Sequence, residues 1–254
     1  MHLDVVTIFP ELFTAFRTTG VLGKAVERGL VEIDVHDLRS WAENKWGQVD
    51  DEPYGGGAGM VLQAPPVLRA VRALQAGSPA ASLLVLLTPS GTPFSQAMAE
   101  ELASQQRVIV LCGRYEGFDE RIVDILRPRE ISLGDFILGG GEVAAMAVIE
   151  AVARLLPGVV GDPASVVDDS FSRGLLDHPC YTRPPDVEGH PVPEVLRSGN
   201  HEAVRRWRLE RAVEATLCRR PDLVSEHWEG YSDEIRELIR RLRRGGRDGE
   251  PPAG

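Results

Sequence analysis

The sequence predicts an α/β protein with a mainly parallel sheet, followed by a small helical domain. Three observations carry this. Short aliphatic and β-branched runs alternate with helix-period segments over the first two-thirds of the chain, the pattern of a parallel sheet with crossover helices. Near residues 160–200 the alternation gives way to a polar stretch and then a proline-rich one. Two strongly helical, arginine-rich segments follow.

Taken in order, the strand-like runs fall at 2–8, 31–35, 83–87, 107–112 and 130–133, and helical periodicity fits 11–17, 66–74, 95–104 and 142–156. Pro184, Pro185, Pro191 and Pro193, with Gly189, stop helices and central strands, so this stretch reads as an extended linker. HEAVRRWRLERAVEATLCRR then reads as a helix limited by Pro221, and SDEIRELIRRLRR as a second, with Ser232 as N-cap. The tail GGRDGEPPAG is expected to fray. The domains are therefore expected at 1–160, 161–200 (linker) and 201–254.

Composition narrows the class. The 254 residues are 43% hydrophobic and 26% charged, as in a soluble globular protein. No apolar run approaches the roughly 20 residues needed to span a bilayer, and the N-terminus lacks the pattern of a signal peptide. Three widely spaced cysteines, Cys112, Cys180 and Cys218, read as reduced thiols in a cytoplasm. The net charge of −10 argues at first against a nucleic-acid partner. Its distribution says otherwise: from residue 197 on there are 13 Arg against 11 acidic groups, leaving 27 acidic against 15 basic groups for residues 1–196. Arg205-Arg206-Trp207-Arg208 and Arg240-Arg241-Leu242-Arg243-Arg244 are candidate phosphate contacts, and exposed helix faces explain them nearly as well.

Glycine loops carry the chemistry. Thr88-Pro89-Ser90-Gly91, Gly113-Arg114-Tyr115-Glu116-Gly117 and Gly134-Asp135-Phe136-Ile137-Leu138-Gly139-Gly140-Gly141 each follow an expected strand. In open α/β sheets ligands collect at the carboxyl ends of strands. Three such ends suggest a pocket built largely of main chain around an apolar slot, suited to a nucleoside-like ligand. A fourth cluster, DDEPYGGGAGM, follows Pro53 and Tyr54 instead of a strand and lacks a Gly-Lys-Ser/Thr ending. It fits neither the dinucleotide fingerprint nor a P-loop, which disfavours a nicotinamide oxidoreductase. No side-chain cluster identifies a dedicated metal site.

PYGGGAGM, TPSG, CGRYEGFDER, ISLGDFILGGGE and DDSFSRGLLDHPCYTRP, in this order, resemble the bacterial tRNA (guanine-N1)-methyltransferase family, a group of knotted α/β methyltransferases often called SPOUT. The resemblance runs from IFPELF to RRPDL and covers most of the chain. It implies a deep trefoil knot, against which general topology rules would argue. It also implies S-adenosylmethionine as methyl donor, a homodimer with the active site at its interface, a helical C-terminal domain that helps grip tRNA, and no membrane partner. The family is associated with Mg2+ dependence. Residue by residue, it implies a cofactor pocket lined by Pro89, Gly113, Tyr115, Glu116, Ser132, Leu133, Gly134, Asp135, Phe136, Ile137, Leu138, Gly140 and Gly141, with Asp177 near the methionine end. The implied reaction is methylation at N1 of the guanine immediately 3′ of the anticodon, position 37.

That N1 normally bears a proton and is a poor nucleophile. A carboxylate base with a nearby cation meets the need, and the family motif assigns these roles to Asp169 and Arg154. Asp168, beside Asp169, is the confounder. Three positions depart from the family pattern: Trp46 replaces a histidine and can stack on a base or simply pack, Phe136 stands where tyrosine is common, and Ala144 where proline is common.

Overall fold

Five apolar segments pair in parallel in the computed structural model, which describes residues 1–77, 81–161 and 169–245. They are β1 (His2–Thr7), β2 (Glu32–Asp37), β5 (Leu83–Pro93), β6 (Arg107–Cys112) and β7 (Arg129–Ser132), in spatial order β2-β1-β6-β5-β7. Two minor strands, β3 (Asp50–Asp51) and β4 (Val61–Leu62), form a separate antiparallel pair. Every residue of β6 is buried, as expected of a strand covered on both faces. One apolar layer packs Val5, Val85, Val110 and Ile131 against helices. The other packs Val6, Leu86, Ile109 and Leu111 beneath a second set.

The helices of this unit follow local signals. α1 (Phe13–Phe16) and α2 (Gly20–Glu27) join β1 to β2. α3 (Ala64–Ala76) has proline in its first turn and Gly77 at its end. α4 (Gln96–Ala103) starts at Ser95, whose hydroxyl accepts from Met98 N at 3.3 Å. α5 (Arg121–Leu126) and α6 (Gly141–Ala153) complete the unit.

Two expectations change. The helix expected over 11–17 is a 3-10 turn, Pro10–Leu12, followed by the four residues of α1. α2 has no counterpart among the expected helices, because Gly20 and Gly23 interrupt its apolar pattern. Gly23 is required by packing: a Cβ there would lie 2.4 Å from the Thr18 carbonyl carbon.

β5 runs on past its first pairing with β7. Leu87 pairs with Ile131, the ladder breaks, and Thr92 meets Ile131 again before Pro93 pairs with Ser132. Gly91, inside that excursion, lies so close to β7 that a Cβ would be 2.4 Å from Ile131 N.

The chain divides into two compact units, Met1–Pro163 and Ala164–Gly254. In the second, the stretch expected as extended linker holds a two-strand hairpin, β8 (Asp186–Val187) and β9 (His190–Pro191), and the short α7 (Glu194–Arg197). α8 (His201–Arg219) is capped by Asn200 Oδ1 on Ala203 N at 3.1 Å. Pro221 both ends α8 and opens α9 (Pro221–Glu226). α10 (Asp233–Gly245) begins beside Ser232, whose hydroxyl accepts from Ile235 N at 3.4 Å. Leu175, Val213, Val224, Tyr231 and Ile239 form this unit's core, and the Tyr231 hydroxyl donates to Gly174 O at 2.6 Å. The tail from residue 246, the polar run 162–168 and hence Asp168 lie outside the described residues.

Gly91→Ala should destabilise the protein by about 1–3 kcal/mol through overpacking against backbone. Gly161→Ala, where a Cβ would meet nothing, should stay within roughly 0.5 kcal/mol. Urea denaturation of the two variants checks this; equal effects would contradict the close approach of Gly91 to β7.

Candidate functional site

β6, β5 and β7 are neighbours in the sheet, so the loops leaving their carboxyl ends must converge. They enclose a cleft of about 520 Å³, within the range of small-molecule sites. Pro89, Gly113, Tyr115, Glu116, Ser132, Leu133, Gly134, Phe136, Ile137, Leu138, Gly140 and Gly141 all line it. Asp135 does not: it is exposed in a turn closed by Phe136 N on Gly134 O at 2.9 Å. Asp169 and Asp177 lie in the second unit, and Arg154 is the exposed residue closing α6.

The cleft's shape depends on close main-chain approaches. Gly141 N donates to Gly113 O at 2.8 Å, and a Cβ on Gly141 would lie 2.9 Å from the Cys112 Cα. Tyr115 takes the left-handed φ of 60°, uncommon for a side chain of its size and found most often where surroundings over-determine a functional loop. The second glycine cluster braces this loop from outside. Glu116 N donates to Met60 O at 3.0 Å, and Gly59 leaves space that Glu116 Oε1 would otherwise contest at 2.4 Å. Phe136 and Ile137 stand 54% and 82% exposed, giving the cleft an apolar, open wall.

A residue absent from the expected set holds these loops together. Glu142, on the first turn of α6, is fully buried. Its Oε2 accepts from Arg114 Nε at 2.8 Å, and its Oε1 accepts from the Thr7 hydroxyl at 2.7 Å. Arg114 Nη1 donates to Gly139 O at 3.1 Å, and its guanidinium lies 4.6 Å from the Phe9 ring centroid. The start of α6 favours a carboxylate electrostatically. Sequence reading passed over this pair because Arg114 and Glu142 are 28 residues apart. The acid directly after three glycines at a helix start was the available signal. Cys112, beside them, is no nucleophile: burial pushes its thiol well above the usual range, and the Glu142 charge adds to this.

In the second unit Asp169 and Asp177 share a groove of about 380 Å³ with Arg173, His178, Arg205 and Arg208. Asp177 N donates to the Ser170 hydroxyl at 2.9 Å. The basic clusters separate into two groups. Arg205 is tied to Glu202 at 2.9 Å and Glu234 at 3.0 Å, and Arg241 to Glu210 at 2.7 Å. Arg206, Arg208, Arg243 and Arg244 are exposed and make no ion pair among the described residues. Trp46 stands 80% exposed, with Lys45 Nζ 4.7 Å from its ring centroid.

The residues of the cleft fit S-adenosylmethionine. A glycine-lined cradle leaves room for a flat ring beside main chain, the apolar wall suits its faces, and Glu116 supplies a carboxylate for a cationic group. Among the described residues, the His, Cys, Asp or Glu donors close enough in threes to share an ion are His2, Asp4 and Asp34, and none lines the cleft.

A parallel α/β sheet with a main-chain cleft at adjacent strand ends defines an α/β protein whose cleft lies where such sheets collect ligands. The chain belongs to the family described as tRNA (Guanine-1)-methyltransferase TrmD, whose model matches residues 1–226. It is 52% identical over 241 residues to a tRNA (guanine-N(1)-)-methyltransferase of Rhodopirellula baltica, covering 94% of this chain and 100% of that one. Proteins of the same description from Deinococcus radiodurans (56% over 224 residues; 88% of this chain, 80% of the relative) and Moorella thermoacetica (49% over 251 residues; 98% and 99%) are also similar.

Arg114→Leu should cost about 3 kcal/mol or more, because it leaves a buried carboxylate without its cation. Adding Glu142→Leu should recover at least half of that loss, since paired apolar replacements remove the uncompensated charge. Thermal and urea unfolding of both variants test this; a double variant less stable than Arg114→Leu would contradict it.

Proposed function

We propose that this protein transfers the methyl group of S-adenosyl-L-methionine to N1 of the guanine at position 37 of tRNA, immediately 3′ of the anticodon. The observation that carries the reading is the convergence of three glycine-bearing strand ends on one cleft, in a chain belonging to this family. S-adenosyl-L-methionine supplies, when bound, an electrophilic methyl group on a sulfonium. The chain's residues position it and prepare the acceptor. Pro89, Gly113, Tyr115 and Glu116, with residues 132–138, Gly140 and Gly141, hold the donor, and Asp177, of this chain or of the partner subunit, is the residue the family resemblance assigns to its charged methionine end. Holding donor and acceptor in line supplies much of the acceleration.

Asp169 takes the proton from guanine N1 as general base. The charge that develops spreads to O6, where the guanidinium of Arg154 offsets it.

The reading includes the deep trefoil knot of this family. Membership of the family supports it. It also includes a homodimer with the active site at the subunit interface. The domain roles are donor binding for residues 1–160, a connection carrying the base for 161–200, and tRNA grip for 201–254. Arg206, Arg208, Arg243 and Arg244, without an ion pair among the described residues, are the proposed phosphate contacts. Reduced thiols support a cytoplasmic setting, and no helix among the described residues is long and apolar enough to cross a membrane.

Primer extension on unmodified tRNA transcripts tests the reading, since a methyl on N1 blocks the pairing edge. Wild-type protein should produce a stop at G37 that requires the methyl donor. Asp169→Asn should bind S-adenosylhomocysteine normally while single-turnover rate falls about 10²–10⁴-fold. A methyl elsewhere overturns the substrate assignment, and an unchanged rate overturns the base.

A further inference from the structure

The carboxyl-end cleft leaves unexplained a polar cluster on one face of the sheet, built on β1 and the edge strand β2. These strands pair in parallel with His2 opposite Glu32, Asp4 opposite Asp34 and Val6 opposite His36. Side chains two apart share a face and paired residues face the same way, so two imidazoles and three carboxylates gather on one side. His2 Nε2 lies 3.0 Å from Asp34 Oδ2 and 3.6 Å from Asp4 Oδ1. A tetrahedral ion with bonds of about 2.1 Å sets its donors about 3.4 Å apart, between those two distances.

Three further features point the same way. His2 Nδ1 lies 3.8 Å from Glu32 Oε2, a long ion-pair distance that puts a third carboxylate beside the imidazole. Asp4 is 1% exposed and fixed in place, with Oδ1 accepting from His36 Nε2 at 2.8 Å and Oδ2 from Arg107 Nε at 2.8 Å. Asp4, Glu32 and Asp34 outnumber the single fixed cation beside them, Arg107, an acidic surplus that suits a cation. His2 and Asp34 are partly exposed, so an ion has a path in from solvent.

We propose that His2, Asp4 and Asp34 form a binding site for a divalent transition-metal ion of borderline softness, such as Zn2+, Co2+ or Ni2+, with Glu32 and His36 as outer contacts. Imidazole beside carboxylate suits these ions, whereas Mg2+ demands oxygen in octahedral geometry. The ion fastens edge strand β2 to β1 and takes no part in methyl transfer. Binding to the folded state alone also stabilises it.

The test uses tag-free full-length protein freed of metal by chelation, titrated with Co2+ by visible absorption and with Zn2+ by calorimetry. One equivalent per chain is expected, with the visible bands of a tetrahedral site and a rise in melting temperature on adding Zn2+. His2→Ala and Asp34→Asn should each abolish both the bands and the melting shift. Glu32→Gln should weaken binding about 10–100-fold, while Cys180→Ala, in the exposed Cys180–His178 pair, should leave it unchanged. Absence of saturable binding, or binding that survives both His2→Ala and Asp34→Asn in folded variants, overturns the proposal.

Discussion

A single buried carboxylate organises the cleft. Glu142 begins α6, and its two oxygens reach in opposite directions, to Arg114 from the β6 loop and to Thr7 at the end of β1. A charge with no exposed surface is costly unless paired and hydrogen-bonded. Both conditions are met here only when the two strand ends and the helix start are in register. Arg114 extends the bracing to Gly139 and to the Phe9 ring, so one ion pair fixes the glycine run that ends the third loop. A cleft made of main chain needs such a device, because glycines do not hold their own conformation.

That constraint explains why the glycines are distributed as they are. Gly140 and Gly141 run beside Arg114 and the Cys112–Gly113 backbone with no room for a Cβ. Gly91 does the same against β7, and Gly59 against Glu116. In contrast, Gly55, Gly56 and Gly57 take positive φ with open space around them. One run is shaped by contact and the other by turn geometry, although both look alike in sequence. The first builds the cleft, and the second only frames its outer side.

The parallel sheet was legible because β-branched runs such as VIVLC have few alternatives when buried on both faces. The cleft was legible because glycines follow three of those runs, and adjacency in the sheet brings them together. What escaped the sequence depended on long-range packing. α2 hid behind Gly20 and Gly23, and 161–200 read as a linker although Gly174 and Leu175 enter a helical core. The Arg114–Glu142 pair and the His2–Asp4–Asp34 cluster join residues 28 and 32 positions apart. The second needed strand register, which composition cannot supply. Net charge was likewise a poor guide, since the acidic surplus belongs to residues 1–196 and the arginines without an ion pair among the described residues to α8 and α10.

Binding of S-adenosylhomocysteine to the Arg114→Leu/Glu142→Leu protein, followed by titration calorimetry against wild type, separates stability from shape. If the ion pair sets the geometry of the cleft, the folded double variant binds at least about tenfold more weakly, a difference of ~1.4 kcal/mol. Wild-type affinity in the double variant would contradict the organising role of Glu142 and leave the pair as a contributor to folding alone.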